Sequence, residues 1–167
     1  PDVETIRTIA AAHRRHGTVA LLPTVITDAP RILDGAIAAV RQAMADGVPG
    51  VIGIHIEGPC LDPARKGAHA GRFLREMTDT DVACLTSTGL PTVLTTLAPN
   101  RVSPAQIAAL AAAGIIISLG HSDAGFDLAA EALNAGARGF THLYNAMSQM
   151  NGREPGMVGA ALSAAGA

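Results

Sequence analysis

One carboxylate and two imidazoles stand at equivalent places in the sequence: Glu57 closes the apolar run 51–56, His121 follows "IIISLG", and His142 follows "RGFT". If each run is a strand of one parallel sheet, all three side chains arrive on the carboxyl-terminal side of that sheet, and their separation along the chain is immaterial. A carboxylate and two neutral imidazoles are a donor set for a divalent ion such as Zn2+, with one position left for water. Water held there loses several pKa units and becomes a nucleophile near neutral pH. Taken singly, a histidine after a strand reads as a hydrogen-bonded core or loop residue, and Glu57 as an N-cap partner or a solvated acid. The three together point to a metal centre.

A second concentration of polar chemistry is "GFTHLYNAMSQMNGREPGMVGAAL", residues 139–162, which sets His142, Asn145 and Arg153 close together with glycines between them. An arginine there offers a bidentate grip on an anion such as phosphate, or else a surface salt bridge. Gly152 and Gly156 are expected to let this loop turn tightly. Side-chain alternation along 52–57 puts Gly53, His55 and Glu57 on one face and Ile52, Ile54 and Ile56 on the other, toward covering helices. His55 should therefore sit one layer below Glu57 in a supporting role. His13 and His16, beside Arg14 and Arg15, read as a solvated helix face.

Composition bounds the class. Of 167 residues 49% are hydrophobic, which predicts one domain with a buried core. Charged residues are 16%, net charge is −2, and no basic run exceeds Arg14-Arg15, so neither nucleic acid nor another polyanion is an expected partner. No apolar run reaches the roughly 18 residues that span a bilayer. The start "PDVETIRTIAAAHRRHG" carries acids where a secretion signal would be basic and then apolar. Cys60 and Cys84 form no CxxC arrangement and no disulfide framework, which suits a reducing cytoplasm. The expectation is a soluble cytoplasmic protein.

The elements that would position these residues alternate. Val3, Ile6, Ile9 and Ala10 have helical spacing, closed by Gly17. A strand is predicted over 18–25, then a helix to about residue 45 with Asp28 as N-cap and Pro30 in its first turn. Further strands are predicted over 50–58, 92–99, 115–122 and 138–142, and helices over 78–88, 103–113 and 123–135. Strands too apolar to keep one wet face imply a parallel sheet covered by helices, an α/β fold. A doubly wound sheet and a (β/α)8 TIM barrel both satisfy this order. Periodicity does not separate them, and the placement of the polar residues is what discriminates.

The segments "HIEGPCLDPARKGAHAG", "TLAPN", "GHSDA" and "THLYNAMSQMNGREPGMVGAAL" together resemble the N-acetylglucosamine-6-phosphate deacetylase family of the amidohydrolase superfamily, in order and over essentially the whole chain. The resemblance implies a TIM barrel of which about five central βα units are present. It implies metal-dependent hydrolysis of the acetamide of N-acetylglucosamine 6-phosphate to glucosamine 6-phosphate and acetate. The family's metal ligands fall on Glu57, His121 and His142, and its substrate contacts on Ala68, His69, Asn145, Ala146 and Arg153. The implied cofactor is a divalent metal, Zn2+ first, with Fe2+, Mn2+ or Co2+ as alternatives. The implied partners are a phosphosugar and a second copy of the chain in a homodimer.

Cys60 stands where related sequences carry an aromatic after "EGP", and a buried inert thiol is expected there. By the same resemblance the first strand, the last two strands, a small β-domain and the general-base aspartate would lie outside residues 1–167, the aspartate beyond Ala167. The segment by itself is then expected to bind metal weakly and catalyse little. The alternatives are another amidohydrolase acting on a cyclic amide or nucleobase, and a non-catalytic sugar-phosphate-binding module.

Overall fold

The computed structural model describes residues 2–164. Five parallel strands form one sheet in the order of the chain: β1 Thr24–Ile26, β2 Ile54–Glu57, β3 Val93–Leu97, β4 Ile116–Leu119 and β5 Gly139–Phe140. Before, between and after them run α1 Val3–Arg14, α2 Pro30–Ala45, α3 Asp79–Thr86, α4 Pro104–Ala112, α5 Phe126–Asn134 and α6 Gly156–Ser163. A doubly wound sheet reverses its strand order at a switch point. Here the order is sequential throughout, as in an arc of a barrel.

Parity separates the two faces. Ile54, Ile56, Val93, Leu97, Ile117 and Leu119 point outward and are buried with Val40, Ala43, Ile107, Leu110 and Ala129 of the covering helices. On the concave face, the register aligns Ile26 with Glu57, Glu57 with Thr96, and Thr96 with Ser118. That face carries a polar chain. Thr24 Oγ1 lies 3.0 Å from His55 Nδ1, His55 Nε2 2.8 Å from Thr96 Oγ1, and Thr141 Oγ1 2.8 Å from Thr96 Oγ1 and 2.7 Å from Ser118 Oγ. His55 thus links neighbouring strands beneath Glu57, as the alternation predicts. Burial holds its pKa below the ordinary histidine range, so the ring is a neutral link.

Where the strands differ from expectation, the backbone explains it. Pro23 has no N–H to donate, so the segment before β1 is reduced to a single bridge between Leu21 and Val51, and the strand predicted over 18–25 forms only over Thr24–Ile26. Ile52 precedes β2 and is 45% exposed instead of facing a helix. The second helix begins at Pro30 with Ala29, not Asp28, as N-cap. The fifth begins at Phe126 rather than 123, because Ser122 and Asp123 are held in the loop by Asn100 and Asp62. The sixth helix lies beyond the last element that the sequence predicts, and it begins at Gly156, where a tight loop turn is expected. His13 and His16 are exposed, and Cys60 is buried with its thiol pushed up to about 12 by desolvation.

Two helices after long loops begin with reciprocal caps. Thr78 Oγ1 accepts from Asp81 N–H at 3.3 Å while Asp81 Oδ2 accepts from Thr78 N–H at 2.8 Å, and Ser103 with Gln106 repeats the arrangement. Asp81 is also paired with Arg75, which ties the loop after β2 to the start of α3. In the full-length protein, Thr78→Ala is expected to cost about 1 kcal/mol in denaturant unfolding, as loss of a helix cap does.

Candidate metal centre

Three strand ends deliver the predicted residues to one place. Glu57 is the last residue of β2 and is 6% exposed. His121 lies two residues beyond β4, with Gly120 between. A Cβ on Gly120 would sit 3.1 Å from the side chains of Thr96 and Thr141, so a glycine belongs there. His142 lies two residues beyond β5. Both histidines adopt left-handed backbone, φ 49° and 58°, as do Tyr144 and Ala146 at 73° and 49°. Four non-glycine residues in that region on adjoining loops mark backbone strain held by the surrounding structure, as at functional sites.

Glu57 Oε1 is the common point. Nε2 of His121 lies 3.0 Å and Nε2 of His142 2.8 Å from this one oxygen, and Nε2 of His69 lies 4.0 Å away. The rings of His69 and His121 meet edge to face at 4.6 Å, and those of His121 and His142 at 5.3 Å. The hydrogen bond from His121 depresses Glu57 to about 2, against the opposing effect of burial and with help from His142. His121 is raised by the same contact, while burial first and then His121 lower His69. Glu57, His69 and His121 offer ligand atoms mutually within 4.8 Å, the dimensions of a divalent-cation group.

The far sides of the rings carry different partners. His121 Nδ1 faces the carbonyl of Arg65 at 2.9 Å, an acceptor only, so Nδ1 holds a proton and directs Nε2 at Glu57. His69 Nδ1 receives the backbone N–H of Thr27 at 3.3 Å and sits 2.8 Å from Thr27 Oγ1. A backbone N–H donates only. The lone pair is therefore on Nδ1, and His69 Nε2 carries the proton. Without a cation His121 donates from both nitrogens, to Arg65 and to Glu57; were a cation to take the place of the Nε2 proton, His121 would offer it a lone pair while His69 offers an N–H.

The remaining predicted residues are less tightly held. Ala68 and Asn145 are exposed beside His69 and His142, and Ala146 is tied to the end of β4 by accepting from Ser122 N–H at 3.1 Å. Arg153 is exposed in a tight turn closed by the Asn151–Glu154 bridge, and among the described residues no hydrogen bond or ion pair holds it. Its neighbour Glu154 anchors the turn by accepting from Phe126 N–H at 2.8 Å and Gly156 N–H at 2.9 Å. Gly156 has φ +61°, and a Cβ there would meet the Gln149 carbonyl at 2.7 Å, so this glycine is required. Gly152 has open space around it and no such requirement.

Thr27, Arg65 and Asp62 were not singled out in the sequence. Thr27 lies two residues past the predicted strand. "LDPAR" does carry a signal, since an aspartate before proline marks the start of a turn.

No family model matches the chain. It is 50% identical over 163 residues to an N-acetylgalactosamine-6-phosphate deacetylase of Shewanella sp. (strain ANA-3), covering 98% of this chain and 41% of that protein. It is 42% identical over 151 residues to an N-acetylglucosamine-6-phosphate deacetylase of Danio rerio, covering 86% and 37%. Among solved structures, the Mycobacterium smegmatis N-acetyl-D-glucosamine-6-phosphate deacetylase D267A mutant, in complex with N-acetyl-D-glucosamine-6-phosphate, superposes with TM-score 0.83 at 37% identity, covering 90% of this chain and 40% of that one. The Pasteurella multocida N-acetylglucosamine-6-phosphate deacetylase gives 0.83 at 35%, covering 89% and 39%.

In the full-length protein with a divalent cation bound, imidazole 15N spectra are expected to show Nδ1 of His121 protonated and Nδ1 of His69 unprotonated. The reverse pattern would contradict the hydrogen-bond assignment. The chain spans about two-fifths of the length of these relatives. The chain belongs to the family of the N-acetylglucosamine- and N-acetylgalactosamine-6-phosphate deacetylases, and its sheet superposes on part of the fold of their solved structures.

Proposed function

We propose that the protein containing this chain hydrolyses the acetamide of an N-acetylhexosamine 6-phosphate, giving the free amino-sugar phosphate and acetate, with a divalent cation held by Glu57, His121 and His142. The observation that carries this reading is the convergence of two Nε2 atoms on Glu57 Oε1 at 3.0 and 2.8 Å. A carboxylate and imidazoles at strand ends fit Zn2+, and equally Fe2+, Mn2+ or Co2+. His69 belongs to the same cluster by distance, but its proton-bearing Nε2 makes it a donor rather than a ligand.

When bound, the cation supplies a Lewis acid that polarises the amide carbonyl and acidifies water. The chain's own residues do the rest. His69 donates Nε2–H to the carbonyl oxygen as negative charge develops on it, held in that tautomer by Thr27. Exposed Arg153, free of intramolecular partners among the described residues, is available to a phosphate through its planar guanidinium. Backbone N–H groups of Ala68 and Ala146 and the amide of Asn145 offer further donors to the sugar phosphate. Among the described residues Glu57 is the one carboxylate bonded to these histidines, and it is committed to the cation. Protonation of the leaving nitrogen needs a further acid.

Among the described residues no helix is long and apolar enough to cross a membrane. A cytoplasmic setting, from the two cysteines without a disulfide framework, and a homodimer, from the family resemblance, are part of this proposal.

Glu57→Gln, His121→Asn and His142→Asn, each in the full-length protein, are expected to lose bound metal and acetate release together. Metal content by elemental analysis and acetate release check this. Arg153→Ala is expected to raise KM at least tenfold with metal content unchanged, since a bidentate guanidinium–phosphate contact is worth a few kcal/mol. A metal-depleted Arg153→Ala protein would count against its assigned role.

The 50% identity to a galactosamine enzyme favours a second reading of the sugar, in which the C4 epimer is the better substrate. The ratio of kcat/KM for the two N-acetylhexosamine 6-phosphates decides it. A ratio well above one for the galacto epimer supports this second reading, and one well below overturns it.

A further inference from the structure

Asp62 is a carboxylate, 6% exposed, that takes no part in the chemistry above. Nearly all of its hydrogen-bonding capacity is spent on the two segments that hold His121. Oδ1 accepts from Ala64 N–H at 2.9 Å and so caps the short turn Pro63–Arg65. Oδ2 accepts from Asn100 Nδ2 at 2.7 Å and from Asp123 N–H at 3.1 Å. Its backbone N–H donates to the carbonyl of His121 at 2.9 Å, and its own carbonyl accepts from Arg65 N–H at 2.9 Å. The carbonyl of Arg65 in turn accepts from His121 Nδ1–H at 2.9 Å.

These contacts close a ring around one imidazole. His121 is gripped at its carbonyl, at its ring and, through Asp123, at the backbone that follows it. Asn100 extends the grip by accepting from Ser122 Oγ–H at 2.8 Å. The residue so held has φ 49°, a conformation that L-residues other than glycine disfavour, so the backbone does not keep His121 there unaided. Arg101 adds little to Asp62, its Nη2 lying 4.0 Å from Oδ1.

We propose that Asp62 is a positioning residue of the metal centre: through Asp123 N–H, Asn100 and the capped turn ending in the Arg65 carbonyl, it aims Nε2 of His121 at the cation. The inference rests on the metal reading given above. It assigns to a buried loop carboxylate the part that outer partners of metal-bound histidines play, fixing ring orientation and tautomer without touching the ion. A carboxylate suits the task because Oδ2 must accept from two donors while Oδ1 accepts from a third, more than one amide oxygen serves.

The test is Zn2+ affinity in the full-length protein, by competition with a chromophoric chelator, alongside the melting temperature of the metal-free protein. Asp62→Ala is expected to weaken Zn2+ binding about 10- to 100-fold. Asp62→Asn is expected to weaken it as well, because its amide NH2 must face at least one of the backbone N–H groups of Ala64 and Asp123 that the carboxylate accepts. If Asp62→Ala does not fold, Asp62→Asn carries the test.

Wild-type Zn2+ affinity in Asp62→Asn with only a lowered melting temperature would show a merely structural role and overturn the inference. If Glu57→Gln also retained Zn2+ unchanged, the metal reading itself would fall. Retention in the Asp62 variants alone would overturn only the positioning role.

Discussion

Two imidazole nitrogens crowd one buried carboxylate oxygen, and much of the surrounding structure serves to hold them there. Glu57 is carried on a strand paired on both sides, which fixes its backbone. His121 and His142 leave their strands in left-handed turns and need outside support. The hydrogen bond from His121, helped by that from His142, holds Glu57 well below the ordinary carboxylate range against the effect of burial, and the same contact raises His121. A cation at that point satisfies the same three groups without protons on the two nitrogens.

The layers beneath and around the centre follow from this demand. Below it, His55 joins threonines of neighbouring strands into a polar chain on the concave face, so the floor of the site is hydrogen-bonded rather than greasy. Beside it, the Thr27 N–H behind His69 leaves that ring's proton to Nε2, while the Arg65 carbonyl behind His121 keeps a proton on Nδ1. In the metal centre proposed above, the backbone atom behind each ring sets whether it serves as ligand or as donor.

Much of this was legible in the sequence because a parallel sheet converts chain position into spatial position. Residues after strands must meet at one side, so Glu57, His121 and His142 could be grouped with no knowledge of distances. The side-chain alternation that placed His55 under Glu57 held for the same reason. What could not be read is what depends on loop conformation. The sixth helix was hidden in glycine and alanine, which carry little periodic signal, and Ile52 fell outside the strand whose parity it was assumed to share. Asp62 and Thr27 matter through backbone contacts 59 and 42 residues away, to His121 and His69, and no local pattern encodes such partners. The sequential strand order, which separates a barrel arc from a doubly wound sheet, is likewise a property of the fold.

The most direct test is an anomalous diffraction map from crystals of the full-length protein grown with Zn2+. A single peak is predicted about 2.0–2.2 Å from a Glu57 carboxylate oxygen and from Nε2 of both His121 and His142, with His69 outside bonding distance. A peak bonded to His69 in place of His142, or no peak among these residues, would contradict the account.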